Sequence, residues 1–413
     1  KQYLYNKEAV KGGKMVEFKF HLATEIHFGK GVLKDLPETV LKYGKRLFFL
    51  YDEIPAKATG AYDYLYALCK DNGIEVTEFT GIEPNPRHST VDKAVLLCKE
   101  AEADCIVALG GGSTIDSAKA MSFSVFHDGS CWDFYEGKAE VTKALPIITV
   151  PTIAASGSEV SNVTVMANYE EHKKMDYRTN LVRPAAVFAD PSYTFSVPPF
   201  QTACGIVDIM SHSYEGYFSN SLGSIQDGFS EILQKTCIEH GRKVMMCPKD
   251  YESRAQLLWA AELAITHLAD QGRDFVGNLH STEKMLSGYF SLPHGAGIAI
   301  VSLAWFKYSL NDATAPRYAR WGRNVWGIDG NQDEFTTQGR RLPNTKSLWR
   351  NWAFRPGCQA LRTRWRRKSF LKQRTHCLGL LTRKHGLNPW KTRKNCWNLY
   401  VWPIRIKECY MLH

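Results

Sequence analysis

The run "DCIVALGGGS" (Asp104–Ser113) enters three consecutive glycines and passes at once into a helical pattern, "TIDSAKAM". An uninterrupted apolar run fits a strand covered on both faces, as in a parallel sheet. Glycines at its end permit positive φ and close backbone approach, and Ser113 is expected to cap the following helix. Asp116, three residues on, falls at a capping-box position. Two further apolar runs, "KRLFFLYD" (Lys45–Asp52) and "LPIITVPT" (Leu145–Thr152), share the pattern, with "STVDKAVLLCKEAEA" (Ser89–Ala103) between them reading as a helix. Strand–helix–strand alternation at this spacing predicts an α/β, Rossmann-like N-terminal domain. After Pro198 and Pro199 no strand run is evident as far as Trp326, which predicts an all-helical C-terminal domain. The expected divisions are 15–198, 199–337 and a tail, 338–413.

The glycine loop offers Gly110, Gly111, Gly112 and Ser113 at a helix N-terminus, whose amides attract phosphate. It differs from the GxGxxG fingerprint and fits a plain strand-to-helix turn equally well. A second loop, "TVPTIAASGSEVSN" (Thr149–Asn162), places the hydroxyls of Thr152, Ser156, Ser158 and Ser161 after another strand, where ligands of open α/β sheets bind. Asp52 closes the first apolar run, where a carboxylate hydrogen-bonds a ribose diol and repels a 2′-phosphate, and Glu53 adds to that repulsion. A solvated loop acid fits Asp52 as well.

In "GIVDIMSHSYEGYF" (Gly205–Phe218), Asp208 and His212 stand four residues apart and share a helix face. Among 13 histidines, His280 and His294 lie in the same helical region, and Pro293 makes His294 a loop or helix-start position from which the chain folds back. One carboxylate and three imidazoles suit Fe²⁺ or Zn²⁺ and leave a coordination position open. Each histidine taken alone fits a structural role.

Together these motifs resemble the iron-containing alcohol dehydrogenase family, its butanol dehydrogenase-like branch in particular. The resemblance is carried by "PNPR", "GGGSTIDSAKA", "WDFYEGKAEVTKALPIITVPTIAASGSEVSN", "DPSYTFSVPPFQTACGIVDIMSH", "SLPHGAGIAI" and "YARWGRNVWGID", in order from Val16 to Asp329. It implies a dehydroquinate synthase-like fold with the active site in a cleft between the domains, and a homodimer or larger assembly. It implies metal ligation by Asp208, His212, His280 and His294. It implies cofactor contacts from Asn85, Gly111, Gly112, Ser113, Asp116, Thr152, Ser161, Val163 and Lys174. The implied reaction is hydride transfer between a nicotinamide and a primary alcohol or aldehyde, the metal acting as Lewis acid on the oxygen. Many relatives carry a histidine four residues after the third ligand, where this chain has Lys284. NADP-preferring relatives have a glycine-rich loop where this chain has "YDEIPAKATG", which favours NAD(H). A glycerol dehydrogenase-like polyol oxidoreductase and a catalytically silent relative are the nearest alternatives.

The formal charge of +10 is uneven: residues 338–413 hold 19 Lys and Arg against one acid, Glu408, leaving 33 basic and 41 acidic groups in 1–337. The tail also holds six of the 11 tryptophans. A basic nucleic-acid arm with stacking aromatics is one reading. The favoured one is a reading frame displaced near Thr337, since acids and helical periodicity vanish together there. At the other end, "KGGK" before Met15 resembles a ribosome-binding purine run read in frame, so Met15 is the expected natural start. The gene's nucleotide sequence tests both. Eleven scattered cysteines without a CxxC pair signal free thiols, and the lack of a long apolar run or a signal-peptide core leads to a soluble cytoplasmic expectation.

Overall fold

The computed structural model describes residues 15–219, 223–273, 277–311 and 314–327. The basic tail and the segment before Met15 lie outside the described residues. The first region runs β1 (Glu25–Phe28), α1 (Leu36–Leu41), β2 (Arg46–Tyr51), α2 (Glu53–Ala58), α3 (Ala61–Asp71), β3 (Glu75–Phe79), α4 (His88–Glu100), β4 (Cys105–Gly110) and α5 (Gly112–Ser124). It continues through α6 (Trp132–Tyr135), β5 (Ile147–Pro151), β6 (Val163–Asn168), β7 (Lys173–Arg178) and β8 (Ala186–Ala189). Six strands form one parallel sheet in the order β1-β8-β5-β4-β2-β3, while β6 and β7 pair as a separate antiparallel hairpin.

The three apolar runs are the sheet's centre. Alternate residues serve opposite faces: Phe48, Leu50, Ile106 and Ala108 pack with α4 and α5 residues such as Val91, Ile115 and Met121. Leu47, Phe49, Val107 and Leu109 pack with Leu36, Leu65 and Cys69 on the other side. The described cysteines are all free thiols.

The second region is helical: α7 (Pro199–Tyr217), α8 (Ser224–Met246), α9 (Tyr251–Ile265), α10 (Leu279–Phe290), α11 (His294–Ser309) and α12 (Ala315–Trp326). Among the described residues no helix is long and apolar enough to cross a membrane. Two close approaches join α7 to its neighbours. A Cβ on Gly205 would stand 2.2 Å from the Ala154 carbonyl oxygen of the second loop, and one on Gly295 would stand 2.1 Å from the Cys204 oxygen. No other residue fits there without moving backbone, so these glycines bring the Thr149–Asn162 loop and α11 against the helix that carries Asp208.

A buried pair of acids lies where the same loop meets α9. Gly157, at φ 63°, sets the turn against α9, where a Cβ would meet the Ala261 oxygen at 2.5 Å. Glu159 and Glu262 follow on either side, both wholly buried, and three of their four carboxylate oxygens have no hydrogen-bond partner. Burial pushes the Glu159 carboxyl up to about 7 and Glu262 well above the ordinary range, the latter raised further by the Glu159 charge. Lys119, Asp116 and Arg183 are the other charged groups of this cluster. Folded-state pKa values above the unfolded 4.5 mean that the folded protein holds extra protons. The contribution to stability is therefore complete below about pH 4.5 and lost as pH rises through about 7. The thermal midpoint is expected to fall between pH 5 and 8 in the wild type and to fall less in Glu262→Gln, whose amide stays neutral; parallel curves would exclude the pair as the source.

Candidate metal centre and nucleotide loops

α7 is almost entirely buried along its second half, and Asp208 and His212 lie there one turn apart. His280 is the second residue of α10, and His294 the first residue of α11 after Pro293 as N-cap, so a break of three residues turns the chain back as Pro293 predicts. The Nε2 atoms of His212, His280 and His294 stand 3.5, 3.6 and 3.5 Å from one oxygen, Asp208 Oδ1. Four ligands held about 2.1 Å from a tetrahedral metal lie about 3.4 Å apart. Ligand atoms of Asp208, His212 and His280 are all within 4.8 Å of one another, and His294 joins them through Asp208.

These atoms are short of partners. Asp208 Oδ1 and both ring nitrogens of His212 are buried without a hydrogen bond, an arrangement that costs free energy unless something polar fills it. The electrostatics suit a cation among these residues. Burial acts to raise the Asp208 carboxyl, but the His294, His280 and His212 rings outweigh it and hold the group well below its usual range. Burial keeps His212 neutral. Burial opposes charge on His280 too, yet the Glu215 and Asp208 carboxylates push it up to about 10. One carboxylate, three imidazoles and orphaned atoms at ligand spacing fit a borderline divalent metal.

Two acids escaped the sequence reading. His280 Nδ1 bonds Glu215 Oε2, and His294 Nδ1 lies 2.6 Å from Glu283 Oε2. Their signal is the repeat His212-Ser-Tyr-Glu215 and His280-Ser-Thr-Glu283: in each, a glutamate sits on the same helix face three residues after a candidate ligand.

The glycine loop differs from expectation in detail. α5 begins at Gly112 with Gly111 as N-cap, and Ser113 caps nothing. The reason is packing: a Cβ on Gly111 would meet Ile153 at 3.0 Å and one on Gly112 would meet Ser156 Oγ at 2.6 Å, so the turn closes at the glycines against the second loop. Asp116 therefore lies a turn inside α5, where it accepts hydrogen bonds from Ser158 Oγ at 2.5 Å and the Val165 amide at 3.1 Å instead of closing a capping box. Buried Lys119 donates to Ser158 Oγ, Ser161 Oγ and the Val163 oxygen at 2.8, 3.0 and 2.8 Å. Asp116, Ser161 and Val163 thus brace the loops from behind. Gly111, Gly112, Ser113 and Thr152 lie where the strands β4 and β5 end, and the first-turn amides of α5 stand outside its hydrogen-bond ladder.

Asp52, half-buried after β2, makes no side-chain cap to α2, and burial raises its carboxyl. Glu53 turns to Lys57 at 2.8 Å, which weakens its expected part in repelling a phosphate. Asn85, at φ 55°, donates to the Leu292 oxygen at 2.9 Å and so holds the turn into His294. Lys174 on β7 reaches Glu283 Oε2 at 3.4 Å, and Lys284 pairs with Asp176.

The iron-containing alcohol dehydrogenase model matches residues 23–191, and the C-terminal model of the same family matches 202–352. The chain is 40% identical to NADH-dependent butanol dehydrogenase A of Clostridium acetobutylicum over 336 residues, 81% of this chain and 86% of that one. It is 32% identical to the NADPH-dependent aldehyde reductase YqhD of Escherichia coli over 78% of this chain and 84% of that one. A crystal structure described as NADH-dependent butanol dehydrogenase A from Thermotoga maritima superposes with a TM-score of 0.77 at 34% identity, covering 83% of this chain and 85% of that one. The chain belongs to the iron-containing alcohol dehydrogenase family, and it is an NAD(P)-dependent oxidoreductase of the alcohol dehydrogenase and aldehyde reductase type.

Proposed function

We propose that the protein interconverts primary alcohols and aldehydes with NAD(H) as hydride carrier and iron at the Asp208, His212, His280 and His294 centre. The observation that carries this reading is the convergence of three imidazole Nε2 atoms on one buried carboxylate oxygen. A divalent metal held there supplies Lewis-acid polarisation of an alcohol or carbonyl oxygen, and the nicotinamide supplies or takes the hydride. The chain's own part is placement. Gly111, Gly112 and Ser113 offer backbone amides for a pyrophosphate beside the loop that Gly205 holds against α7. That contact sets the nucleotide loops next to the ligand helix, so the two reacting carbons are oriented by the same packing. Lys284 is tied to Asp176 and acts here as a seam residue.

Metal analysis together with NADH oxidation by butyraldehyde and NAD⁺ reduction by glycerol tests the proposal: iron with fast aldehyde reduction supports it, and activity confined to glycerol assigns the polyol reading instead. NAD(H) preference is supported by Asp52 at the end of β2 and by the NADH-dependent names of similar proteins. Asp52→Gly is expected to raise the ratio of kcat/KM for NADPH over NADH by about tenfold or more, because like-charge juxtaposition is worth at least 1.4 kcal/mol. An unchanged ratio removes Asp52 from cofactor choice.

The dimer reading is supported by a segment without helix or strand at the start of the described chain. Val16, Phe18, Phe20 and Leu22 alternate with polar residues, and all are exposed. A second copy of the chain is the occupant this apolar edge suits. Sedimentation of the wild type as a dimer and of Phe18→Asp/Phe20→Asp as a monomer is the expected result; a dimer in both places the interface elsewhere.

A further inference from the structure

We propose that Glu215 and Glu283 are positioning residues for the metal centre, crossed between helices so that each fixes the ring of a ligand other than the histidine preceding it. The proposal rests on the metal-centre reading above. The sequence repeat His-Ser-x-Glu pairs each glutamate with the histidine three residues before it, yet the structure pairs them otherwise. Glu215 on α7 takes His280 on α10, and Glu283 on α10 takes His294 on α11. A carboxylate only accepts hydrogen bonds, so Nδ1 of each ring must carry the hydrogen and donate. With Nδ1 so committed, Nε2 is the ring atom that faces the Asp208 oxygen, and it is the atom that ligates once a metal displaces its proton. Three helices are thereby threaded in series, α7 to α10 to α11, and the ligands they carry share one geometry. His212 is the exception: its Nδ1 is buried without a partner.

The two glutamates are built in, not incidental. The Glu215 Oε1 accepts the Leu279 amide at 2.6 Å, which also sets the first turn of α10 immediately before His280. Glu283 is wholly buried and its second oxygen accepts Ser287 Oγ. Gly297 makes the room, since a Cβ there would meet Glu283 Oε1 at 2.7 Å. A buried carboxylate needs a nearby cation, and Lys174 on the β6–β7 hairpin supplies one at 3.4 Å, with its side chain almost as deeply buried. The neighbouring pair on the same seam, Asp176 with Lys284, is more exposed. The hairpin is therefore the wall that completes Glu283.

The test is Zn²⁺ affinity of the full chain by chelator competition, read beside nitrogen NMR of labelled histidine. Glu215→Gln and Glu283→Gln are each expected to weaken Zn²⁺ binding about 10- to 100-fold, with the signal of one Nδ1–H histidine apiece shifted, since a neutral amide oxygen accepts that hydrogen more weakly than a carboxylate. NAD(H) binding is expected to be unchanged. Lys284→Met, on the exposed pair, is expected to bind Zn²⁺ like the wild type. Should Glu283→Gln fail to fold, Glu283→Asp, which keeps the charge at shorter reach, is expected to weaken binding less than Glu215→Gln does. Wild-type affinity and wild-type histidine spectra in the glutamate variants overturn the proposal. Asp208→Ala separates the two levels: if it loses Zn²⁺ while the glutamate variants do not, only the positioning role falls, and if it retains Zn²⁺ the centre itself is misassigned.

Discussion

Asp208→Asn yields a folded protein that retains no metal and whose turnover falls at least about a thousandfold. The magnitude follows from what is removed, since a Lewis acid supplies several kcal/mol to the reaction and each 1.4 kcal/mol is a factor of ten. Asp208 Oδ1 faces the Nε2 atom of all three imidazoles at 3.5, 3.6 and 3.5 Å, so its charge is common to every ligand contact. Asparagine keeps the shape and removes the charge, and folding is expected to survive because Glu215 and Glu283 still hold the His280 and His294 rings. Metal content by elemental analysis and aldehyde reduction with NADH give the result. Full turnover with bound metal in this variant would sink the ligand set. His280→Ala should match it, and the two together should cost no more than either, as for groups acting as a unit.

How much of this was legible in the sequence depends on the range of the interaction concerned. The central strands were legible because "RLFFLY", "CIVALG" and "IITVP" are apolar on both faces, and that pattern has few other uses. Asp208 and His212 were legible as an i, i+4 pair, and His294 as a helix start because proline precedes it. The β6–β7 hairpin was not: four of the six residues of "KKMDYR" are charged, so the segment shows no apolar run to mark it as a strand. Its task is to carry Lys174 to Glu283, a contact across 109 residues that no local pattern encodes. Ser113 misled for a similar reason. Its propensity to cap is real, but the approach of Ile153 and Ser156 starts α5 at the glycines, so tertiary packing set the boundary. Glu215 and Glu283 were visible as residues and invisible as partners, because a glutamate three positions after a histidine suggests pairing within its own helix.

Asp227→Ala is the variant expected to cost the fold most, about 3–5 kcal/mol, the range for stripping one partner from a buried ion pair. Asp227 on α8 is buried and receives Arg273 at 2.8 Å, Arg317 through two nitrogens at 2.7 and 2.8 Å, and Arg320 at 3.4 Å. Arg317 also donates to the Tyr217 oxygen at the end of α7 and lies over the Tyr217 ring at 4.3 Å. One carboxylate therefore fastens α8, α12 and the end of α7, and its loss leaves the buried Arg317 guanidinium without the counter-charge that offsets its dehydration. Burial acts to raise the Asp227 carboxyl, but the Arg317 and Arg273 hydrogen bonds hold it below its ordinary value. Its contribution is thus present above the unfolded pKa of 3.8 and lost as pH falls below it, opposite in sign to that of Glu159 and Glu262. Denaturant unfolding at neutral pH measures the cost, with Glu239→Ala as comparison: that acid pairs with Lys243 on an exposed face, where solvent screening leaves an ion pair little to contribute. Equal losses in the two variants would show that the arginine cluster contributes no more than a surface pair. Since Asp208 and His212 lie on the helix that Arg317 clamps, Asp227→Ala is further expected to release metal on warming at a lower temperature than the wild type, while binding it normally in the cold. Asp208→Asn shows the converse, an intact fold with no metal at any temperature, and that contrast separates residues that build the wall from the residue that uses it.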